Sequence, residues 1–422
     1  MKKLIILLCA AALCSVSCIS FRETDDISFP SYDKIEKNAE SESETLPETE
    51  TESESETLPE TEPEPEIPFA GVDMTVTAVG DNLIHPNIYI DAAARAKDGQ
   101  AHDFIPMYAD VIPYIEAADI AFINQETVMA GAGYGYSGWP TFNAPQQLGL
   151  DLVSIGFDVV NIANNHMLDK GTSGLEDTIN FWNEQEITLL GGYLNEEDYA
   201  DIRITEEDGV RISWLSYTYG TNGIVKNASS PIVIPYIDDT RILADLESAR
   251  DMSDFIIVSV HWGNENTYTP TDEQHRLSRM IADNGADVIL GHHPHCVQPI
   301  EWIETDSGRT LCVYSLGNFV SGMARPMNQV GGLFSFRIVS NGEGGLEAQS
   351  PLFTPTVFYY GMDWYNTHLY FMEDYTDEIA ARHGVQISGY YMSAGDARKI
   401  VTDTIDGEFL PDYLKAADST GA

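Results

Sequence analysis

Basic side chains are scarce in this chain. Its 422 residues carry 22 Lys and Arg against 67 Asp and Glu, a net charge of -45. Such a surface repels phosphate backbones and anionic headgroups, which argues against a nucleic-acid partner. An anionic substrate stays admissible, because a metal ion inverts the local field. Cysteine is also rare. Of five in the chain, only Cys296 and Cys312 lie beyond residue 18, so a disulfide framework is excluded and one bridge is the upper limit. Cys296 abuts a histidine loop and Cys312 sits in an apolar run, so two buried thiols are expected, with a single bridge as the alternative. No apolar run reaches the roughly 20 residues of a spanning helix. What the chain does have is 43% hydrophobic content, enough for one large domain or two modest ones.

The amino terminus reads as an export signal. Lys2-Lys3 precede the apolar stretch Leu4 to Leu13, and Ser15-Val16-Ser17 lead into Cys18. Small residues before a Cys resemble a bacterial lipobox, which implies residues 1–18 as a lipoprotein-type signal peptide and Cys18 as the lipid attachment point. The expected location is the extracellular face of the cell membrane, lipid-anchored, with a simple secreted form as the alternative. Residues 19–70 follow as an acidic linker. The ten residues SESETLPETE occur at Ser41–Glu50 and again at Ser53–Glu62. Almost nothing in them can be buried, so they are expected to stay disordered and extended, as a tether.

The body is organised around Gly291-His292-His293-Pro294-His295. Three imidazoles within four residues follow Asp287-Val288-Ile289-Leu290, a run that reads as a buried strand. Open α/β sheets build their sites where strands end. Imidazole is a common ligand for divalent transition metals. Other apolar runs end in the same way. Met74–Val79 ends in Gly80-Asp81, with His85 close behind. Asp119–Ile123 ends in Asn124-Gln125-Glu126. Asp158–Ala163 ends in Asn164-Asn165-His166, with Asp169 following. Phe255–Val260 ends in His261-Trp262-Gly263, with Glu265 two residues on. One such residue is noise. Five strand tips with a metal-competent side chain make a mixed O/N set suited to Mn, Zn or Fe, and large enough for two ions. Helices are expected at Thr240–Arg250 and Thr271–Asn284, with another capped by Ser173 and carrying Leu175, Ile179 and Trp182 on one face.

These motifs, with Ser315-Leu316-Gly317-Asn318-Phe319, resemble the CapA/PgsA-type capsule-synthesis proteins, a family linked to poly-gamma-glutamate. That family is similar in turn to calcineurin-like metallophosphoesterases. The likeness implies an α/β fold, a four-layer α/β/β/α sandwich over residues 71–330, with residues 331–422 completing it. It also implies a two-metal site held by Asp81, Glu126, Asn165, His261, His293 and His295. His166, with Asp169, would serve as a general acid or a phosphate contact. His85, Glu265, His292 and Asn318 are secondary candidates. The first-strand His of the phosphoesterases is replaced by Leu83, with His85 as the substitute to test, and their bridging Asp is replaced by Glu126. The implied function is a cell-surface metal-dependent hydrolase acting on an anionic polymer or a phosphoester. The alternative is a non-catalytic polymer-binding or scaffold component of a membrane synthase complex.

Overall fold

The computed structural model describes residues 69–97 and 99–415. The signal segment, Cys18 and the tether as far as Pro68 lie outside the described residues. In chain order the strands are β1 (Asp73–Leu83), β2 (Ile120–Gln125), β3 (Val159–Asn161), β4 (Thr188–Leu190), β5 (Arg203–Glu207), β6 (Val210–Thr218) and β7 (Phe255–His261). They continue as β8 (Val288–His292), β9 (Ile300–Thr305), β10 (Gly308–Val313), β11 (Asn318–Ser321), β12 (Val330–Ser340), β13 (Leu346–Tyr359) and β14 (His368–Phe371). The helices used below are α1 (Pro86–Arg95), α2 (Gln147–Ser154), α3 (Gly171–Asn183), α4 (Asp239–Met252), α5 (Asp272–Asp283) and α6 (Ala394–Thr402).

Among the described residues these strands form two sheets. The first runs β14-β13-β12-β1-β2-β3-β4, with β11 paired to the end of β1. Within it β1 through β4 are parallel neighbours, while β12, β13 and β14 add antiparallel strands beyond β1. The second runs β5-β6-β7-β8-β10-β9, with β6, β7, β8 and β10 parallel.

Three apolar clusters define the layers. One lies between the sheets. Val76 and Ala78 of β1, Phe122 of β2 and Phe334 and Phe336 of β12 meet Trp214 of β6, Ile257 of β7 and Leu290 of β8. Phe122 stacks on Trp214 with ring centroids 5.7 Å apart. A second cluster covers the outer face of the first sheet, where Val79, Ile123 and Val160 pack against α1, α2 and α3. A third covers the outer face of the second sheet with α4 and α5. The result is the α/β/β/α layering that the family resemblance implied. Every residue of β2, β7 and β8 is buried, as expected of parallel strands covered on both faces.

Local expectations fare unevenly. Leu175, Ile179 and Trp182 share the buried face of α3. That helix begins at Gly171 with Lys170 at the cap position, three residues before the expected Ser173 cap. Thr271 does cap α5, in a reciprocal capping box with Gln274. The short strands β4, β5 and β9 carry no strong apolar run and were not foreseen. Cys296 and Cys312 are both buried and unbridged.

Two glycines set how the sheets end. At Gly80 a Cβ would sit 2.0 Å from the Gly317 carbonyl, and the β1 register shifts there against β2. The bulge leaves Gly80 unpaired and brings Asp81 into register with Asn124 of β2 and Asn318 of β11, which changes the face its side chain takes. At Gly291 a Cβ would sit 2.1 Å from the Tyr314 carbonyl and 2.7 Å from Trp262 Nε1. Backbone cannot yield there as a side chain would. Gly291→Ala is therefore expected to lower the urea unfolding free energy by roughly 1–3 kcal/mol, an overpacking penalty. Wild-type stability in that variant would contradict the packing described.

Candidate metal centre

The C-terminal ends of the two parallel blocks face one place. The tips of β1, β2 and β3 deliver Asp81, Glu126 and Asn165-His166, and the tips of β7 and β8 deliver His261 and the His292–His295 loop. Three overlapping groups of ligand atoms result, each with its atoms within 4.8 Å of one another. They are Asp81, Glu126 and His295; Glu126, His261 and His293; and Glu265, His293 and His295. Glu126 belongs to two groups, and so do His293 and His295. Asn165 joins through His261, whose Nε2 lies 3.0 Å from Asn165 Oδ1.

The loop holding the histidines is locally unfavourable. His293 and His295 both adopt positive φ, 98° and 56°, a conformation that costs a non-glycine residue of order 1–3 kcal/mol. It is held by Asp81, whose Oδ2 accepts from the His293 backbone N–H at 3.3 Å and lies 3.1 Å from His295 Nδ1. Tyr219 packs over His293 with centroids 4.6 Å apart.

Several buried polar atoms here have no hydrogen-bond partner. Both carboxylate oxygens of Glu126 are orphaned, as are His261 Nδ1, His293 Nδ1 and both ring nitrogens of His292. The nearest rings to Glu126, those of His261 and His295, stand off at 3.5 and 3.6 Å. An unpaired buried carboxylate is expensive, and a divalent cation is the group that this O/N donor set fits. The protonation states follow the same logic. Burial pushes the Glu126 carboxyl well above the usual range. Burial also lowers His292 to about 4 and His293 to about 3, so both are held as neutral imidazoles, the ligating form. His295 moves the other way, to about 10; burial opposes its charge, but Glu126 and Asp81 outweigh it. Asp81 is lowered despite its burial, by the hydrogen bond and charge of His295.

The remaining candidates sit around this cluster. His166 Nδ1 is 2.8 Å from Asp169 Oδ2, which also accepts from the Phe142 N–H at 2.6 Å. His292 stacks on Phe122, its Nδ1 3.7 Å from Asp81 Oδ1. Asn318 Oδ1 lies 3.0 Å from His295 Nδ1 and orients that ring. His85 is outside the three ligand groups. Its Nδ1 accepts from the Gly322 N–H at 3.1 Å, and the residue lines the adjoining cavity.

Sequence reasoning gave no role to the residues that brace these ligands. Asn124 Nδ2 donates to Asp81 Oδ1 at 2.8 Å, Asn161 Nδ2 donates to Asn124 Oδ1 at 2.8 Å, and Ser216 Oγ donates to Asn161. This buried polar chain crosses from one sheet to the other. Asn222 is hydrogen-bonded to both Asn165 and His166; it stands in a loop of no obvious pattern. A cavity of about 730 Å³ opens over the cluster, walled by His85, Trp139, Phe142, His166, Asn222, Glu265, His295, Met323, Arg325 and Tyr390.

The family model for bacterial capsule synthesis protein PGA_cap matches residues 75–323, more than half of the chain. The chain belongs to this family. Among curated relatives, the PGA biosynthesis protein CapA of Bacillus subtilis (strain 168) is 33% identical over 198 residues, 46% of this chain and 51% of the relative. The capsule biosynthesis protein CapA of Bacillus anthracis is 32% identical over 197 residues, 46% of this chain and 47% of the relative. The chain thus spans about half the length of these two family members. Among solved structures, the calcineurin-like phosphoesterase YfkN of Bacillus subtilis superposes with a TM-score of 0.41 at 12% identity, covering 75% of this chain and 95% of that one.

Metal addition is expected to raise the melting temperature, because the ligand set is complete only in the folded state; at a hundredfold excess over Kd the gain is about 2.7 kcal/mol. Glu126→Gln keeps the shape and removes the carboxylate that a cation would hold in its charged form. In EDTA it should match or exceed wild-type stability, and on addition of Mn it should lose most of the wild-type gain, both read by differential scanning fluorimetry. An unchanged metal response in Glu126→Gln would contradict the assignment.

Proposed function

We propose that this is a cell-surface, metal-dependent hydrolase of capsule or poly-gamma-glutamate biosynthesis, with an ester or related bond of an anionic polymer or phosphoester as its target. The observation that carries the reading is the pair of ligand groups sharing Glu126, one of which reaches, through His295, a cavity that also presents His166. Asp81, Glu126, Asn165, His261, His293 and His295 would hold two divalent ions, of Mn, Zn or Fe type. When bound, such ions supply Lewis acidity and a water of lowered pKa. The chain's own residues do the rest. Asp169 fixes the His166 ring through Nδ1, which leaves Nε2 to give a proton to the leaving group. Asn222 Nδ2 lies 3.4 Å from the same nitrogen, so nothing from Asn222 competes for Nε2. Phe142, buried in the cavity wall, sets an apolar ring edge-on against His166. Capsule involvement is supported by family membership and by the names of the two Bacillus relatives. Anchoring through Cys18 and an extracellular location follow from the signal-like amino terminus. The acidic surface counts against broad binding of an anionic polymer away from the metal groups, and so against a purely scaffolding role.

The full-length protein loaded with Mn should hydrolyse bis-4-nitrophenyl phosphate. His166→Asn should lower kcat by about 10²- to 10⁴-fold while metal content stays at the wild-type level. Bound metal without turnover of any ester, or full activity in His166→Asn, would contradict the hydrolase reading.

A further inference from the structure

At the cavity mouth the chain places a cation that nothing else in the fold uses. Arg325 is exposed, lines the cavity together with His166, Glu265 and His295, and among the described residues has no ion-pair partner. The other arginines are mostly taken up. Arg95, Arg203, Arg211, Arg241, Arg276 and Arg337 each hold a carboxylate. In a chain with 67 acidic and 22 basic residues, carboxylates are plentiful, yet none among the described residues forms an ion pair with Arg325.

Its backbone is tied to the ligand loop. The Arg325 carbonyl accepts from the Asn328 N–H at 3.0 Å and from Gln329 Nε2 at 3.2 Å. Asn328 Nδ2 donates to the His295 carbonyl and to Asn266 Oδ1, both at 2.9 Å, and Asn318 Nδ2 donates to the Asn328 carbonyl at 2.9 Å. Pro326 follows and fixes φ at the next residue. The root of the guanidinium is therefore set relative to His295 by buried hydrogen bonds, while its head is left in the cavity. The same cavity holds large aromatic surface in water, with Trp139 77% exposed and Tyr390 41% exposed.

We propose that Arg325 is an anion subsite. It takes a second oxyanion of the substrate, a carboxylate or a phosphate, on a body that packs against Trp139 and Tyr390. The substrate would then be at least dianionic, with one oxyanion at the metal groups and another at Arg325. Placing the first oxyanion rests on the hydrolase reading; the Arg325 subsite stands without it. A guanidinium suits the second role, since its planar fork grips either oxyanion with two parallel hydrogen bonds.

The test is calorimetric titration of the full-length, Mn-loaded protein with four ligands. These are phenyl phosphate, benzoate, 4-carboxyphenyl phosphate and 1,4-phenylene bisphosphate. At least one of the two doubly anionic ligands should bind roughly tenfold or more tightly than phenyl phosphate, the scale of a charge-assisted bidentate contact. Arg325→Ala should abolish that advantage and leave phenyl phosphate within about twofold, while Arg325→Lys keeps part of it. Which of the two ligands gains identifies the second group as carboxylate or phosphate. The subsite is overturned if neither doubly anionic ligand gains, or if Arg325→Ala weakens all four equally. The hydrolase reading fails separately, if phenyl phosphate does not bind while benzoate binds in an Arg325-dependent way.

Discussion

The structure turns on one buried carboxylate. Glu126 sits at the end of β2 with both oxygens out of hydrogen-bonding reach of any protein donor. Buried charge without a partner is among the most destabilising features a fold can hold. Of the imidazoles around it, burial keeps His261, His292 and His293 neutral, while His295 is raised against its burial by Glu126 and Asp81; the aspartate is braced through asparagine. Such an arrangement makes sense as a receptacle for positive charge that the polypeptide itself does not supply. The rest of the local structure follows from keeping that receptacle open. The bulge at Gly80 turns Asp81 inward, the positive-φ histidines are pinned by Asp81, and Asn318 orients His295.

Two parallel blocks are needed because one sheet edge cannot surround an ion. β1, β2 and β3 bring oxygen donors from one sheet, and β7 and β8 bring nitrogen donors from the other. The apolar layer between the sheets sets their separation. Phe122 illustrates the coupling. It stacks on Trp214 across that layer and on His292 at its upper end. The Asn124–Asn161–Ser216 chain makes a second, polar link between the sheets just below the ligands. Packing and site geometry are therefore one problem.

Much of the fold could be read from the chain, for a specific reason. Strands buried on both faces are continuous apolar runs, and β2, β7 and β8 declare themselves in that way. A polar residue that breaks such a run stands out, which is why Asp81, Glu126, His261 and the His292–His295 loop were legible. The bracing residues were not. Asn124 and Asn161 look like ordinary strand-end polar residues, and only the pairing of β1, β2 and β3 brings them into line. His85 stands beside the site and outside the three ligand groups. Its sequence position suits a ligand, but the turn into α1 points its Nδ1 at the backbone of Gly322. The short strands β4 and β5 were hidden because three to five half-buried residues carry too little periodic signal. The start of α3 was misplaced because Gly171 and Lys170 begin the helix without a side-chain cap.

The most direct test of the central claim is anomalous diffraction from crystals of the protein soaked in Mn. Two peaks are expected, both within coordination distance of Glu126, one also reached by Asp81 and His295 and the other by His261 and His293. Absence of density at Glu126 after soaking, or metal bound only at the acidic surface, would contradict the account.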